Sequence, residues 1–419
     1  PATVRTAACI GCLAWVLVWA DLARADAPEY PVTFGAVIEA RSQDAEAFIR
    51  VDQDTRLLEQ VRLRAPADRF GRFSGDGKFR RDGDRVIWDV PADGGRLNYE
   101  VRLKNRRGKG GYDSRVESDW AIFRLDDLFP PAAISQADGA RSRSRLSLAL
   151  PDGWKAATRY PLLDKRRWRV NNPARKFDRP TGWAIAGRLN IRRDQVDGMQ
   201  VTVAGPTGVG VQRVSMLALL RWTLPPLLEI APTPPPRLLV VSAGAPMWRG
   251  GLSGPGSLYI HADLPLLSED GTSTLVHETI HAVLPVPAAK DHDWIDEGLA
   301  EYLTLWLLER SGTISPARFV AAIERFRQRG AAANGLLTDQ ARGRITARAV
   351  ALFHDLDRDL TTATDGEVGI AELAAAMARQ REPIDLDGLR ILSETLAGGQ
   401  TLPSLAAEQL VAFEQPAEM

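Results

Sequence analysis

The chain places two of its five histidines four residues apart, in the stretch TSTLVHETIHAVL from Thr272 to Leu284. His277 and His281 fall on one face of a helix, because residues four apart stack about one turn from each other. Two neutral imidazoles so placed can bind one zinc ion. Glu278 stands beside the first histidine and can take a proton from a zinc-activated water, which is the chemistry of an HExxH sequence. The alternative is a pair of histidines satisfied by hydrogen bonds in a core.

A third ligand follows in DWIDEGLAEY, Asp293 to Tyr302. Glu297 comes sixteen residues after His281, which leaves room for a turn through PVPAAKDHD and a second helix facing the first. Because a catalytic zinc needs three protein ligands and an open position, His277, His281 and Glu297 are predicted to bind one Zn²⁺ per chain. Glu301 shares a helix face with Glu297 and is expected to accept the ring N–H of a ligating histidine. A solvated helix carboxylate is the alternative for Glu301.

The elements that must position these residues can be read from hydrophobic periodicity. Val276, Ile280, Val283 and Leu284 recur at helical spacing and predict an apolar stripe that seats the histidine helix in a core. From about residue 30 to 203 the chain alternates with period two, as in RVIWDV and RLNYEVRL on either side of PADGG. That pattern predicts a half-buried hairpin within an antiparallel sandwich. Helical periodicity dominates after residue 211.

Composition and the first residues limit the class of protein. The 53 basic and 53 acidic residues cancel, so no nucleic-acid partner is expected. Residues 1–25 are predicted to be a signal peptide, because an apolar run after Arg5 ends in the triplet Ala23-Arg24-Ala25. Both cysteines, Cys9 and Cys12, fall in this segment. We expect an exported protein, periplasmic or extracellular, with no stable membrane span after cleavage.

The motifs resemble those of a known enzyme family. HETIH followed by WIDEGLAEY is similar to the gluzincin zinc metallopeptidases, and WRGGLSGPGSLYIHADLP narrows the likeness to the glycyl aminopeptidase family, whose members often carry a PDZ domain. No PDZ domain is expected here. The resemblance implies a multidomain α+β fold, with the chain divided into four residue ranges. These are a signal peptide (1–25), a β-rich, antiparallel sandwich-like N-terminal domain (26–204), a thermolysin-like zinc peptidase domain (205–312) and a helical C-terminal region (313–419).

Three departures from the family pattern bear on substrate and catalysis. In the relatives, a glutamate on an edge strand binds the α-amine of the substrate, and the matching residue here is Ser253. The relatives also supply a tyrosine to the developing oxyanion, whereas no tyrosine follows Tyr302. Arg344, Arg348 or His354 are candidates for that role, with an exposed helix arginine as the alternative. The spacing from His281 to Glu297 is also shorter than in most relatives.

The sequence therefore predicts an exported zinc peptidase that cuts peptide or protein substrates, with Glu278 as the general base. The predicted substrate-binding residues, on strands that would pair with an extended peptide, are Gly251, Leu252, Ser253 and Tyr259. Two alternatives remain open. One is a zinc-binding scaffold protein of the cell envelope that has lost hydrolysis, and the other is a β-rich domain that recruits an envelope partner, with catalysis secondary.

Overall fold

The structure is a computed structural model that describes residues 27–108, 110–172, 174–406, 413 and 415–417. The predicted signal peptide lies outside these residues. Within them, every helix is too short or too polar to span a bilayer.

The strands in chain order are β1 (Glu29–Val37), β2 (Asp44–Asp52), β3 (Leu58–Arg64), β4 (Phe70–Gly75), β5 (Lys78–Asp82), β6 (Arg85–Asp89), β7 (Gly94–Arg102), β8 (Asn105–Arg106), β9 (Tyr112–Val116), β10 (Trp120–Arg124), β11 (Ala132–Gln136), β12 (Arg141–Ala149), β13 (Lys155–Thr158), β14 (Leu162–Asp164), β15 (Arg167–Arg169), β16 (Trp183–Gly187), β17 (Leu189–Val196), β18 (Met199–Pro206), β19 (Arg237–Ala243), β20 (Gly251–Gly254) and β21 (Ser257–His261). The helices are α1 (Leu125–Leu128), α2 (Arg213–Ile230), α3 (Thr274–Val283), α4 (Asp293–Arg310), α5 (Pro316–Gly330), α6 (Arg344–Ala363), α7 (Ile370–Ala378), α8 (Leu386–Leu396) and a 3₁₀ turn at Pro403–Leu405. The chain thus has the mixed α+β composition that its sequence predicts.

The chain forms two compact units. Unit 1 contains the described residues up to Leu103, with those of Asp126–Ala149 and Tyr160–Pro180. It holds a seven-stranded sheet of order β14-β15-β12-β1-β2-β7-β4 and a four-stranded sheet of order β11-β3-β6-β5. All of the pairs are antiparallel except β1 with β12.

The prediction of a hairpin around PADGG is wrong, although both of the predicted strands exist. β6 pairs with β3 and β5, whereas β7 pairs with β2 and β4. The turn therefore leads from one sheet to the other. Alternation with period two marks a strand that is buried on one face, but it carries no information about which strand lies beside it.

Unit 2 contains Lys104–Leu125, Leu150–Arg159 and the chain from Thr181 onward. One of its sheets has the order β13-β16-β10-β9-β8, and the other has the order β17-β18-β19-β21-β20. In the second sheet, β18-β19 and β19-β21 are parallel pairs, and the edge strand β20 runs antiparallel to β21. One hydrophobic core joins this sheet to α2 through α8.

The two units differ from the sequence ranges predicted above. β17 and most of β18 fall in the predicted N-terminal range, yet they pair into the sheet that contains β19 to β21. Segments from 104 to 125 and from 150 to 159 also belong to unit 2. The change in periodicity between residues 203 and 211 comes just before α2, the first long helix, whereas sheet pairing, which joins distant segments, sets the units.

Candidate metal centre

Helix α3 carries both histidines and begins at a defined cap. The hydroxyl of Ser273 accepts a hydrogen bond from the backbone N–H of Val276 at 3.4 Å, which satisfies one of the free donors of the first turn. Val276 and Ile280 are each 1% exposed and pack in the core of unit 2. The apolar stripe predicted from the sequence therefore fixes the rotation of α3 and turns the opposite face toward α4.

Helix α4 carries the carboxylates and is held at both its start and its middle. A carboxylate oxygen of Asp293 accepts a hydrogen bond from the backbone N–H of Ala341 at 2.7 Å. Further along, a Cβ atom on Gly298 would lie 2.4 Å from Cβ of Ala349 in α6, so only glycine allows this approach of the two helices. Glu297, next to Gly298, thereby faces α3.

The three predicted ligands come together. Nε2 of His277 lies 3.1 Å from Nε2 of His281. The Glu297 carboxylate is 3.4 Å from the first of these nitrogens and 3.7 Å from the second. All three ligand atoms fit within 4.8 Å of one another. Two imidazole nitrogens and one carboxylate oxygen directed at a common point form a donor set that zinc accepts.

The other ring nitrogen of each histidine faces a second carboxylate of α4. Nδ1 of His277 lies 2.9 Å from Glu301, at ion-pair distance although its direction falls short of a regular hydrogen bond. Nδ1 of His281 lies 3.2 Å from Asp296. A proton on Nδ1 leaves Nε2 with its lone pair directed at the cluster, so these carboxylates favour the tautomer that can bind a metal.

The acidic side chains around the two histidines stabilise positive charge in the cluster. Burial by itself lowers the pKa of His277, but interaction with the carboxylates of Glu297 and Glu301 outweighs burial and raises that pKa well above its ordinary value. For His281, burial is likewise outweighed by Asp296, and the pKa rises. For Glu297, burial favours the neutral acid, yet His277 holds its pKa below the ordinary value. A divalent cation fits this site, because the carboxylates stabilise positive charge and the histidines can bind a metal in their neutral form.

Glu278 lies on the side of α3 that faces the edge strand β20. It is 9% exposed, and burial raises its carboxyl pKa. A Cβ atom on Gly251 would be only 2.6 Å from Cγ of Glu278 and 2.8 Å from Oε1, so the strand passes directly over this side chain. Ser253 shares that face of the strand because side chains two apart point the same way, and its side chain opposes part of the rise that burial causes in the pKa of the Glu278 carboxyl.

The four predicted substrate-binding residues have different environments. Gly251 and Ser253 lie over Glu278, as described above. Leu252 points to the opposite face and packs against the cluster that contains Trp183 and Tyr259. Tyr259 is fully buried, and its hydroxyl lies 3.2 Å from the carbonyls of Ala243 and Trp248. Its side chain is therefore part of the core.

The three candidates for an oxyanion donor lie on or near helix α6. The guanidinium of Arg348 donates to the carbonyl of Ala333 and lies over the ring of Phe413. Nδ1 of His354 is 3.1 Å from Arg327. Arg344 is exposed at the start of α6. None of these contacts, among the described residues, joins Arg348 or His354 to the histidine cluster.

Asp296 is the member of the cluster that sequence reasoning did not assign as a histidine partner. It is adjacent to Glu297, so the acidic pair in WIDEGLAEY was the available signal. Helix geometry turns consecutive residues by about 100°. Only the crossing of α3 and α4 decides that this rotation brings Asp296 to His281 and Glu297 to both histidines.

Comparison with known proteins shows which solved structures share the fold of this chain. No family model matches the chain, and no curated protein matches it. Among solved structures, an aminopeptidase N family protein from Idiomarina loihiensis aligns with a TM-score of 0.62 at 13% identity, over 91% of this chain and 78% of that one. An M1 zinc metallopeptidase from Deinococcus radiodurans aligns with a TM-score of 0.59 at 15% identity, over 93% and 95%.

A third solved structure is Legionella pneumophila aminopeptidase A in complex with aspartic acid. It aligns with a TM-score of 0.58 at 11% identity, over 94% of this chain and 50% of that one. At these identities the comparisons show that the chain has the fold of these proteins.

Proposed function

We propose that this chain is a zinc metallopeptidase with His277, His281 and Glu297 as its metal ligands. The observation that carries the proposal is the cluster itself, in which two Nε2 atoms and a carboxylate lie within 4.8 Å. A carboxylate beside Nδ1 of each histidine supports the same role. The shared fold with zinc peptidases agrees with it.

Zinc, when bound, supplies Lewis-acid chemistry that makes a water nucleophilic near neutral pH and polarises a carbonyl. Glu278 acts as the general base. It accepts a proton as the water oxygen bonds to the scissile carbonyl carbon, and it delivers that proton to the amine nitrogen as the C–N bond breaks. Strand β20, which carries Gly251 and Ser253, covers the Glu278 carboxylate on one side.

We further propose that substrates lie along β20, the edge strand above Glu278, by adding a strand to the sheet. Because Ser253 carries no charge, this strand offers no glutamate to a substrate α-amine. The enzyme therefore does not strongly require a free N-terminus, and it can also cleave internal bonds. Export to the periplasm or the extracellular space is also proposed, on the pattern of residues 1–25.

Two substitutions test the function and separate a peptidase from a zinc-binding scaffold. His277→Ala removes a ligand and should abolish stoichiometric zinc, whereas His354→Ala, outside the cluster, should retain it. Glu278→Gln keeps shape and ligands, so it should retain zinc but lose turnover of a peptide library by about 10²- to 10⁴-fold.

Zinc content is measured by elemental analysis of the purified proteins, and turnover by mass spectrometry of the digests. Full zinc in His277→Ala would mean that the ligands are assigned wrongly. Equal cleavage by wild type and Glu278→Gln, or none by either, would favour the scaffold.

A further inference from the structure

The free side of β20 presents backbone groups beside the proposed catalytic base. β20 and β21 are joined by the two residues Pro255 and Gly256, and the backbone N–H of His261 donates to the carbonyl of Gly250. In an antiparallel pair, hydrogen-bonded positions alternate with positions whose groups point outward. Gly250, Leu252 and Gly254 therefore face β21, and the backbone groups of Gly251 and Ser253 face away from it.

An arginine already occupies part of this free edge. Nη1 of Arg124, the last residue of β10, lies 3.4 Å from the carbonyl oxygen of Ser253. Its Nη2 atom is 3.6 Å from where a Cβ atom of Gly254 would be. The guanidinium also lies over the indole ring of Trp183, 5.5 Å from the ring centroid. A strand end, a carbonyl and an aromatic face thus fix its position.

A second arginine lies at the turn of the same hairpin. Nη1 of Arg159 is 3.3 Å from where a Cβ atom of Gly256 would be, and its Nη2 lies 3.4 Å from the hydroxyl of Thr181. The hairpin thus has two cationic side chains next to it. Glu278, which contacts Gly251 of this strand, lies on the face toward α3 and not at the edge.

We propose that Arg124 is a specificity-determining residue that binds a carboxylate of the substrate next to the scissile bond. This inference rests on the proposed peptidase function and names its substrate class, which is peptides with an acidic group at that position. A guanidinium is always charged in proteins and matches a carboxylate with a planar fork of N–H donors. Next to a neutral Ser253, the same charge disfavours a substrate ammonium group.

The test compares kcat/KM for peptides that differ in one group. One pair carries Glu or Gln on the amino side of the scissile bond, and a second pair carries them on the carboxyl side. A third pair has a free or an acetylated N-terminus. We expect Glu over Gln by roughly 10- to 100-fold in one of the first two pairs, since a charge-assisted hydrogen bond contributes that much. The responding pair identifies which side of the bond the carboxylate occupies.

Variants then assign the preference to Arg124. In Arg124→Gln the Glu-to-Gln ratio should fall to about one, whereas Arg124→Lys, which keeps the charge, should retain part of it. Arg115→Gln is the matched control, because Arg115 lies on the neighbouring strand β9 and contacts Glu117 and the Tyr112 ring. Melting curves and zinc content check that each variant is folded.

A ratio near one in wild type, or an unchanged ratio in Arg124→Gln, would overturn the inference, as would a preference above a hundredfold for the free N-terminus. A binding measurement keeps this separate from the peptidase proposal. By calorimetry, Glu278→Gln protein should bind the preferred Glu peptide more tightly than its Gln partner, and adding Arg124→Gln should remove the difference. If no peptide is cleaved, the peptidase proposal fails and the binding result alone decides the role of Arg124.

Discussion

Each histidine of the cluster uses its two ring nitrogens for different tasks. The Nε2 atoms of His277 and His281 face each other and Glu297, while their Nδ1 atoms face Glu301 and Asp296. A carboxylate at Nδ1 raises the basicity of the ligand and fixes its ring orientation. Both carboxylates come from α4, which also carries Glu297, so one helix supplies a ligand and the supports of the other two.

This arrangement predicts the effect of neutralising a supporting carboxylate. Asp296→Asn keeps the size of the side chain but weakens its attraction for Nδ1 of His281, so zinc affinity should fall roughly 10- to 100-fold. Glu301→Gln should act in the same way through His277. Competition with a chromophoric chelator measures the affinity. Glu309→Gln, in the last turn of the same helix, is the control and should bind zinc like wild type. Equal affinity in all four proteins would show that these carboxylates do not support the ligands.

The approach of strand β20 to helix α3 sets the position of Glu278, the proposed general base. Gly251 allows the strand to pass within van der Waals distance of Glu278. Gly251→Ala would place a methyl group 2.6 Å from Cγ and 2.8 Å from Oε1 of Glu278, and 2.7 Å from Cγ2 of Thr274. The methyl group must displace the carboxylate, and a shift of about 1 Å can cost about 10²-fold in rate.

We therefore expect Gly251→Ala to retain zinc and lose about 10²-fold in kcat/KM for a peptide substrate. Gly244→Ala is the control, because a Cβ atom there meets only Cγ1 of Val209 at 3.7 Å, an ordinary contact. Activity of Gly251→Ala within threefold of wild type would mean that the carboxylate position tolerates this displacement.

Helices α5 and α6 are joined by an ion pair whose strength depends on pH. Nη1 of Arg327 donates to Asp355 at 2.9 Å, and His354 lies beside the same carboxylate. Burial alone would raise the pKa of Asp355, but interaction with His354 and hydrogen bonds from Arg327 hold it well below its ordinary value. A carboxyl whose pKa is lower in the folded state stabilises the fold above its unfolded pKa, about 3.9, and loses that contribution as pH falls.

Asp355→Asn should thus lower the free energy of unfolding by about 1 kcal/mol at pH 7, a modest value because Arg327 is partly exposed. The difference from wild type should shrink as pH falls below about 4. Urea unfolding at several pH values measures it. Asp387→Asn is the control. It removes an ion pair between Asp387 and Arg390, but the Asp387 side chain is 73% exposed, so the free energy of unfolding should change little. A constant difference across pH would contradict the assignment.

For the whole molecule, the cluster predicts a link between zinc and stability. The ligands come from two helices and meet only in the folded chain, so zinc binds the folded state in preference to the unfolded one. At a free zinc concentration of about 1,000 times Kd, this linkage stabilises the protein by about 4 kcal/mol. Removing zinc with a chelator should therefore lower the melting temperature by several degrees, as measured by calorimetry.

His277→Ala serves as the internal control for this prediction. Its melting temperature should not change with added zinc or chelator, because the cluster lacks a ligand. An equal response of the variant and wild type would place the zinc that stabilises the protein elsewhere in the chain.

Local patterns were sufficient to predict that His277, His281 and Glu297 form one cluster. Helical periodicity places residues four apart on one face regardless of the rest of the fold, so His277 with His281, and Glu297 with Glu301, could be paired from spacing alone. The apolar positions Val276 and Ile280 then indicated which face of α3 is buried. The three ligand positions agree with the cluster that the structure forms.

Contacts between distant segments were decided only by the tertiary structure. Four features join segments whose relation no local period encodes. They are the pairing of β6 and β7 with different strands, the contact of Asp296 with His281, the burial of Tyr259 and the hydrogen bond from Arg124 to Ser253. The reason is physical. A side-chain period reports which face of an element is buried, whereas its neighbours depend on sheet order and helix crossing, which the packing of the whole chain selects.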